Sequence, residues 1–204
     1  MSLGLSDEQT TQPRTKAEAE APATLAASQR RAVLPGVLNG VRLLLIALWL
    51  GGAFFFSFVV APTAFRVLPT HELAGVLVTH TIAYVNDSGF VISLILLASS
   101  FALKGEYLSR RTKLLEIASL GVVGLACNSG HWISRQMLAL RNEMGRPIDH
   151  VPADDPLRIA FNSLHGYSVG LMSVAMLAGV VALLLIGRRN RLVRVSSAAK
   201  GESL

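Results

Sequence analysis

Two histidines stand in apolar stretches of this 204-residue chain, and each has polar company at helical spacing. Asn128, His131 and Arg135 fall at relative positions zero, three and seven, and Asn162, His165 and Ser168 follow one another at threes, so each set shares a helical face. A histidine in such a place is a ligand for haem or a metal ion, or a hydrogen-bonding group between helices. Cys127 lies four residues before His131, a helix-face spacing for a metal, and Met172 and Met176, seven and eleven after His165, carry thioethers that suit Cu(I). None of these spacings is a specific motif. A methionine stripe is more often bundle packing, and two histidines do not define a metal site. Haem and copper are thus the candidate cofactors, with His131, His165 and Cys127 as candidate metal ligands. The competing reading makes both histidines interhelical glue with Asn128, Asn162 and Ser168. A proton or substrate relay is the third.

The elements that must position these residues are membrane helices. The chain is 51% hydrophobic and 16% charged, which places it with polytopic membrane proteins of one domain. Crossing a hydrocarbon core of roughly 30 Å takes about 20 residues at about 1.5 Å rise each. The first span is expected over 34–65, with a charge-free core over 43–61 closed by Pro62, Arg42 near its entry able to snorkel to the interface and Trp49 one heptad on along the same face. Packing and interface anchoring are the simple account of both. The second lies within 71–104, where Asn86-Asp87-Ser88-Gly89 either breaks the helix or leaves one long helix projecting above the bilayer. The third runs over 114–133 and continues helically to Met144, and the fourth, from Phe161 to Ile186, follows a polar loop over 145–156 in which Asp154 or Asp155 caps the helix that Pro156 begins. Asp87 needs a partner if it lies in the bilayer, and Arg42 or Arg135 is expected to supply it, with His80 one heptad before Asp87 on its face; the alternative puts Asp87 and His80 at the water interface. The pairs Gly36/Gly40 and Gly166/Gly170 read as internal packing before dimerisation.

The fold class expected is therefore all-α, an integral membrane four-helix bundle with a disordered N-terminal tail. Its parts are a tail over 1–33, a four-span domain over 34–187 and a basic tail over 188–204. The tail has no apolar period to bury and no secretory h-region. The net charge of +6 gathers in loops and tails, which points to topology and anionic lipid and excludes nucleic acid as a partner. Basic residues at 30 and 31, from 104 to 113 and from 188 to 200 share one side of a four-span chain. The positive-inside rule makes that side the cytoplasm, with both termini inside an inner or plasma membrane. A single cysteine rules out an internal disulfide. There is no phosphate loop, no His-Glu-x-x-His and no nucleophile elbow, so hydrolase chemistry lacks its usual residues.

The run from Trp49 to Pro69, Trp-Leu-Gly-Gly-Ala-Phe-Phe-Phe-Ser-Phe-Val-Val-Ala-Pro-Thr-Ala-Phe-Arg-Val-Leu-Pro, resembles the first-span signature of the transmembrane protein 205-like domain family. Asp155-Pro156-Leu157-Arg158, with Phe161-Asn162-Ser163-Leu164-His165-Gly166-Tyr167-Ser168, is similar to that family's last-helix signature. The resemblance implies a four-span domain of uncharacterised activity, related in architecture to the copper resistance protein D group. It raises metal handling and singles out Phe161, Asn162, His165, Gly166 and Ser168. The leading expectation is a non-enzymatic membrane protein that binds or passes a metal ion or haem through an interior cluster of Asn128, His131, Arg135, Asn162 and His165. The rival is a structural or accessory subunit whose polar residues only lock helix packing, in contact with lipid, a membrane protein or a second copy. A haem- or metal-dependent oxidoreductase stands third. A ligand site loses its ligand when His131 or His165 becomes Ala while the fold survives; packing residues lose stability with no ligand to lose.

Overall fold

A computed structural model describes the backbone over 16–102 and 109–201 and the side chains over 36–101 and 109–188. The side chains of the segments expected as tails, 1–33 and 188–204, lie outside those residues apart from Arg188, as does that of Lys104. The order of elements is α1 (Lys16–Phe55), a π-helical turn (Phe56–Val60), α2 (Ala61–Val67), α3 (His71–Ala102), α4 (Arg110–Met144), a 3-10 turn (Ile148–His150) and α5 (Pro156–Gly201). Among the described residues there is no strand.

Each helix buries a seam with the same period. Along α1 and into the π turn the seam is Asn39, Arg42, Ile46, Trp49, Ala53 and Phe56, with Leu50 buried beside it; in α4 the buried residues include Glu116, Leu120, Val123, Cys127, Gly130, Ser134 and Met137. The α5 seam is Ser168, Met172, Ala175, Gly179, Ala182 and Ile186, and α3 adds Asn86, Gly89, Ser93, Leu96 and Ser100. Steps of three and four alternate throughout, which is the 3.5-residue repeat of helices packed nearly parallel or antiparallel with knobs into holes. The two methionines on the α5 face, Met172 and Met176, sit in this core as packing. Successive helices run antiparallel. Trp49 of α1 reaches Val85 of α3, Asn86 of α3 faces Gly130 of α4, and Asn39 of α1 reaches Ile186 of α5.

The surface is the reverse of a soluble protein's. Leu48, Phe58, Leu125, Leu177 and Leu184 all point outward, as side chains do that meet lipid rather than water. Gly36–Val67, His71–Phe101 and Pro156–Arg188 are long and apolar enough to cross a membrane. α4 falls short of that apolarity because Glu116, Ser119, Gly124, Gly130 and Ser134 occupy its inner face and Asn128, His131 and Arg135 follow on its outer side. Its outer face carries Leu114, Leu115, Val122 and Leu125, so hydropathy averaged along α4 understates the apolarity it shows outward.

Two boundary expectations change. Pro62 does not close the first span: the π turn just before it widens the helical ladder, Pro62 enters the first turn of α2 where no N–H is required, and the helix continues to Val67. Asn86 to Gly89 does not break α3, which is continuous through it. The stretch is small so that neighbours can come close. Trp49 donates from its indole Nε1 to the Val85 carbonyl at 3.0 Å, and a Cβ on Gly89 would overlap that indole and come within 2.7 Å of Cys127 Sγ. Gly145, in the left-handed region at φ 62°, ends α4. Asp155 Oδ1 accepts from Leu157 N at 2.8 Å to cap α5, as expected of the acids before Pro156.

The glycine pairs behave differently from expectation. Among the described residues a Cβ on Gly36, Gly40, Gly166 or Gly170 meets nothing within 4 Å, so these glycines make no close helix approach there. The close approaches fall instead at Gly89, Gly124 and Gly130, at Gly179 against Trp49, and at Gly75 against the flexible end of Arg141. Gly89→Val is therefore expected to lower stability by about 1–3 kcal/mol or more through overpacking, whereas Gly166→Ala leaves it unchanged or slightly raised. Thermal unfolding of both variants in detergent, followed by circular dichroism, makes the comparison.

Candidate functional site: a polar knot joining four helices

The polar residues that face inward are not those the spacing of the histidines selected. Arg42 and Glu116 are each 1% exposed, and Arg42 Nη2 lies 2.5 Å from Glu116 Oε1. The same Nη2 donates to Ser100 Oγ at 2.5 Å and reaches toward the Leu96 carbonyl at 3.4 Å. Ser100 in turn donates to Glu116 Oε1 and shares the Leu96 carbonyl, each at 2.8 Å. Asn39, one turn before Arg42, offers Oδ1 to Arg42 Nη1 at 3.5 Å and donates from Nδ2 to the Ile186 carbonyl at 3.2 Å. One guanidinium thus ties α1 to α3 and α4, and Asn39 adds α5.

The heptad seam explains how the chain puts these groups together. Arg42 is in phase with Ile46 and Trp49, and Glu116 with Leu120 and Val123, so both point to the bundle axis although their neighbours are apolar. Arg42 does not snorkel outward as expected: it lies in phase with the buried seam, where Glu116 gives it a charge-assisted partner. Among the described residues Arg42 Nε and Glu116 Oε2 make no hydrogen bond. A buried pair of this kind is costly to desolvate, and removing one member strands the other, typically at 3–5 kcal/mol.

A second pair lies between α3 and α4. His131 Nδ1 approaches Asp87 Oδ1 to 2.6 Å without the alignment of a hydrogen bond, and the side chains are 40% and 54% exposed. Asp87 therefore meets His131, and not the Arg42 or Arg135 expected for it. Asn86 beside it is buried against Gly130, where a Cβ would come within 2.8 Å of its amide. At the far end of the bundle His71 Nδ1 lies 3.1 Å from Asp149 Oδ2, both exposed, and Arg141 stacks over the Phe161 ring at 5.5 Å.

The interior cluster expected from sequence does not form. Asn128, Arg135, Asn162 and His165 are exposed, His131 is half-buried, and of the set only Ser168 is buried. Trp49 is in the core as expected of its face, and His80 is exposed. His131 turns to Asp87 on α3 while His165 lies outward on α5, so the two imidazoles do not share an interior site. Cys127 is buried in the α4 seam. Among the described residues no three His, Cys, Asp or Glu side chains are grouped to hold a metal ion. Glu116, Ser100 and Asn39 were missed by the spacing of the histidines. Their signal is a lone glutamate inside an apolar stretch, Leu-Leu-Glu-Ile, which demands a cation on a neighbouring helix.

With the site in place, comparison with known proteins gives one result. The chain matches the family described as a domain of unknown function, DUF4149, over residues 44–146. It belongs to that family. The match takes in the C-terminal end of α1, then α2, α3 and α4, including Glu116 and Ser100 but not Arg42 or Asn39, and stops before α5. It carries no tie to the transmembrane protein 205-like or copper resistance groups. No curated protein and no solved structure matches the chain.

Replacement of either partner of the knot alone, Arg42→Met or Glu116→Leu, is expected to cost about 3–5 kcal/mol. The double variant, which removes both charges, is expected to be clearly more stable than either single one. Unfolding by SDS titration in mixed micelles measures the three against wild type, and a double variant no better than the singles would show that the two charges do not act as a pair.

Proposed function

We propose that this protein is a non-catalytic four-span membrane subunit whose interior charges lock its own helices and which acts through a partner in the plane of the bilayer. The observation that carries the reading is the Arg42–Glu116 pair, bound to Ser100 and Asn39 and reaching all four long helices. An intramembrane ion pair marks a functional site by default, usually a relay or a substrate path. Here its geometry favours a fastening. Arg42 Nη2 meets three acceptors on two neighbouring helices at once, an arrangement in which motion of any helix costs several contacts together. The polar side chains that sequence offers as ligands are turned the other way. Asn128, Arg135, Asn162 and His165 face outward, where a neighbouring helix meets them more readily than a small ligand in the core does.

The reading extends to boundaries and sidedness. The four-span unit covers 34–187, with α4 as the third span because its outward face is apolar from Leu114 to Leu125. Arg110, Arg111, Lys113 and Arg188 gather at the end where the knot lies, and the positive-inside rule makes that end cytoplasmic in an inner or plasma membrane. The opposite end mixes Arg141, Arg146 and Arg158 with Glu143, Asp149, Asp154 and Asp155 and gives no such bias.

Metal analysis and a visible absorption spectrum of the detergent-purified chain test this against the ligand-binding alternative. The expected outcome is a colourless protein without stoichiometric metal, with His131→Ala and His165→Ala spectra the same as wild type. A haem band or a bound copper that disappears in either histidine variant would overturn the reading.

A further inference from the structure

Helix length and register bear on where the membrane surface crosses this bundle. α3 and α4 run for 32 and 35 residues, roughly 48 and 52 Å at about 1.5 Å per residue, against a hydrocarbon core of roughly 30 Å. Tilt does not absorb the excess, since it would have to reach about 50° where spanning helices lean by about 0–40°. Arg110, Arg111 and Lys113 open α4, and Arg188 stands at the same end of α5, so the surplus length lies at the opposite end. A single antiparallel register relates α3 to α4: Gly75 faces the end of Arg141, Asn86 faces Gly130, Gly89 faces Cys127, and Ser100 donates to Glu116. That register puts Tyr84 level with Trp132. The stacking of Arg141 over Phe161 brings Tyr167 of α5 to within about one turn of the same depth.

Among the described residues these are both tyrosines and the one exposed tryptophan; Tyr84, Trp132 and Tyr167 are 75%, 63% and 68% exposed. Such rings gather at membrane–water interfaces, where the ring meets apolar chains and the hydroxyl or indole N–H stays wet. An independent count agrees. About 20 residues of hydrocarbon, taken from Lys113 along α4, end at Trp132, and taken back from Arg188 along α5 they end at Tyr167. Between this belt and the basic end the described helices expose no Asp, Glu, Lys or Arg except Asp87, which lies one turn below Tyr84 and beside His131. Beyond the belt Glu72, Arg135, Glu143 and Arg158 recur among apolar side chains. We propose that the membrane surface opposite the basic end crosses the bundle at Tyr84, Trp132 and Tyr167, which meet phospholipid headgroups, and that the helical ends beyond them stand in water as a polar head. This goes beyond the locked-subunit reading and does not rest on it; a partner that reaches Arg135 or His165 does so among headgroups or in water.

Spin-label accessibility of the full chain in phosphatidylcholine vesicles at high lipid-to-protein ratio tests it. In a Cys127→Ala background, single labels go on exposed apolar positions, so that the polarity of the replaced side chain cannot decide the result. Leu77→Cys, Leu138→Cys and Ile159→Cys lie beyond the belt on α3, α4 and α5; Leu94→Cys, Leu125→Cys and Leu177→Cys lie on the other side of it on the same three helices. Collision with a water-soluble nickel complex, relative to collision with oxygen, is expected to be several-fold greater at each of the first three labels than at its counterpart. A label at Leu77, Leu138 or Ile159 that favours oxygen as its counterpart does overturns the proposal, and so does a counterpart that favours nickel. Either result leaves the Arg42–Glu116 fastening and the reading built on it standing, whereas haem or metal in the pure protein defeats that reading without moving the labels.

Discussion

A guanidinium and a carboxylate closed to 2.5 Å inside an apolar bundle constrain everything around them. Neither Arg42 nor Glu116 can turn to water, so the helices that carry them must keep one depth and one rotation relative to each other. Ser100 and Asn39 extend that constraint to α3 and α5. The stabilisation need not be large, since a well-packed apolar pair of the same volume often does as well. What the pair contributes is register. An apolar seam repeated every 3.5 residues is nearly degenerate under a one-heptad slide. A single buried charge pair removes that degeneracy, because every slipped arrangement strands both charges in hydrocarbon.

Given that register, the remaining packing follows from size. Gly89 admits the Trp49 indole against α3, Gly124 admits Ser93, and Gly130 admits Asn86. These small residues let polar side chains lie between backbones in a place where association owes more to packing and hydrogen bonds than to any difference between lipid and side chain. The interior is consequently mixed, apolar through Ile46, Leu96, Leu120 and Ile186 and polar at fixed points between them. The π turn before Pro62 is the comparable adjustment at the other end of the first span, since it lets the helix carry a proline and continue.

Polar groups divide into two populations with different roles. Those on the seams find most of their partners within the bundle, although Arg42 Nε, Asn86 Nδ2 and Glu116 Oε2 make no hydrogen bond among the described residues; Asp87 and His131, on the outer α3/α4 face, are substantially exposed. A soluble protein would leave the second population to water. Hydrocarbon offers no such reserve, and the inward population fastens the helices to one another.

Composition and the lengths of the apolar runs were enough to determine the all-α membrane class and the helices, and the alternation of Pro, Gly and acids was enough to place the loop and cap before α5. Those features are local: a span is a matter of consecutive side chains, and Asp155 caps a helix two residues away. The site was not local. Asn128, His131, Arg135, Asn162 and His165 share helical faces as the spacing requires, but a shared face does not say which way the face turns, and tertiary packing turned most of it outward. Arg42 and Glu116 are 74 positions apart and carry no pattern that links them. Only the packed bundle, in which two seams of the same period meet at one depth, decides that a lone arginine and a lone glutamate become a pair.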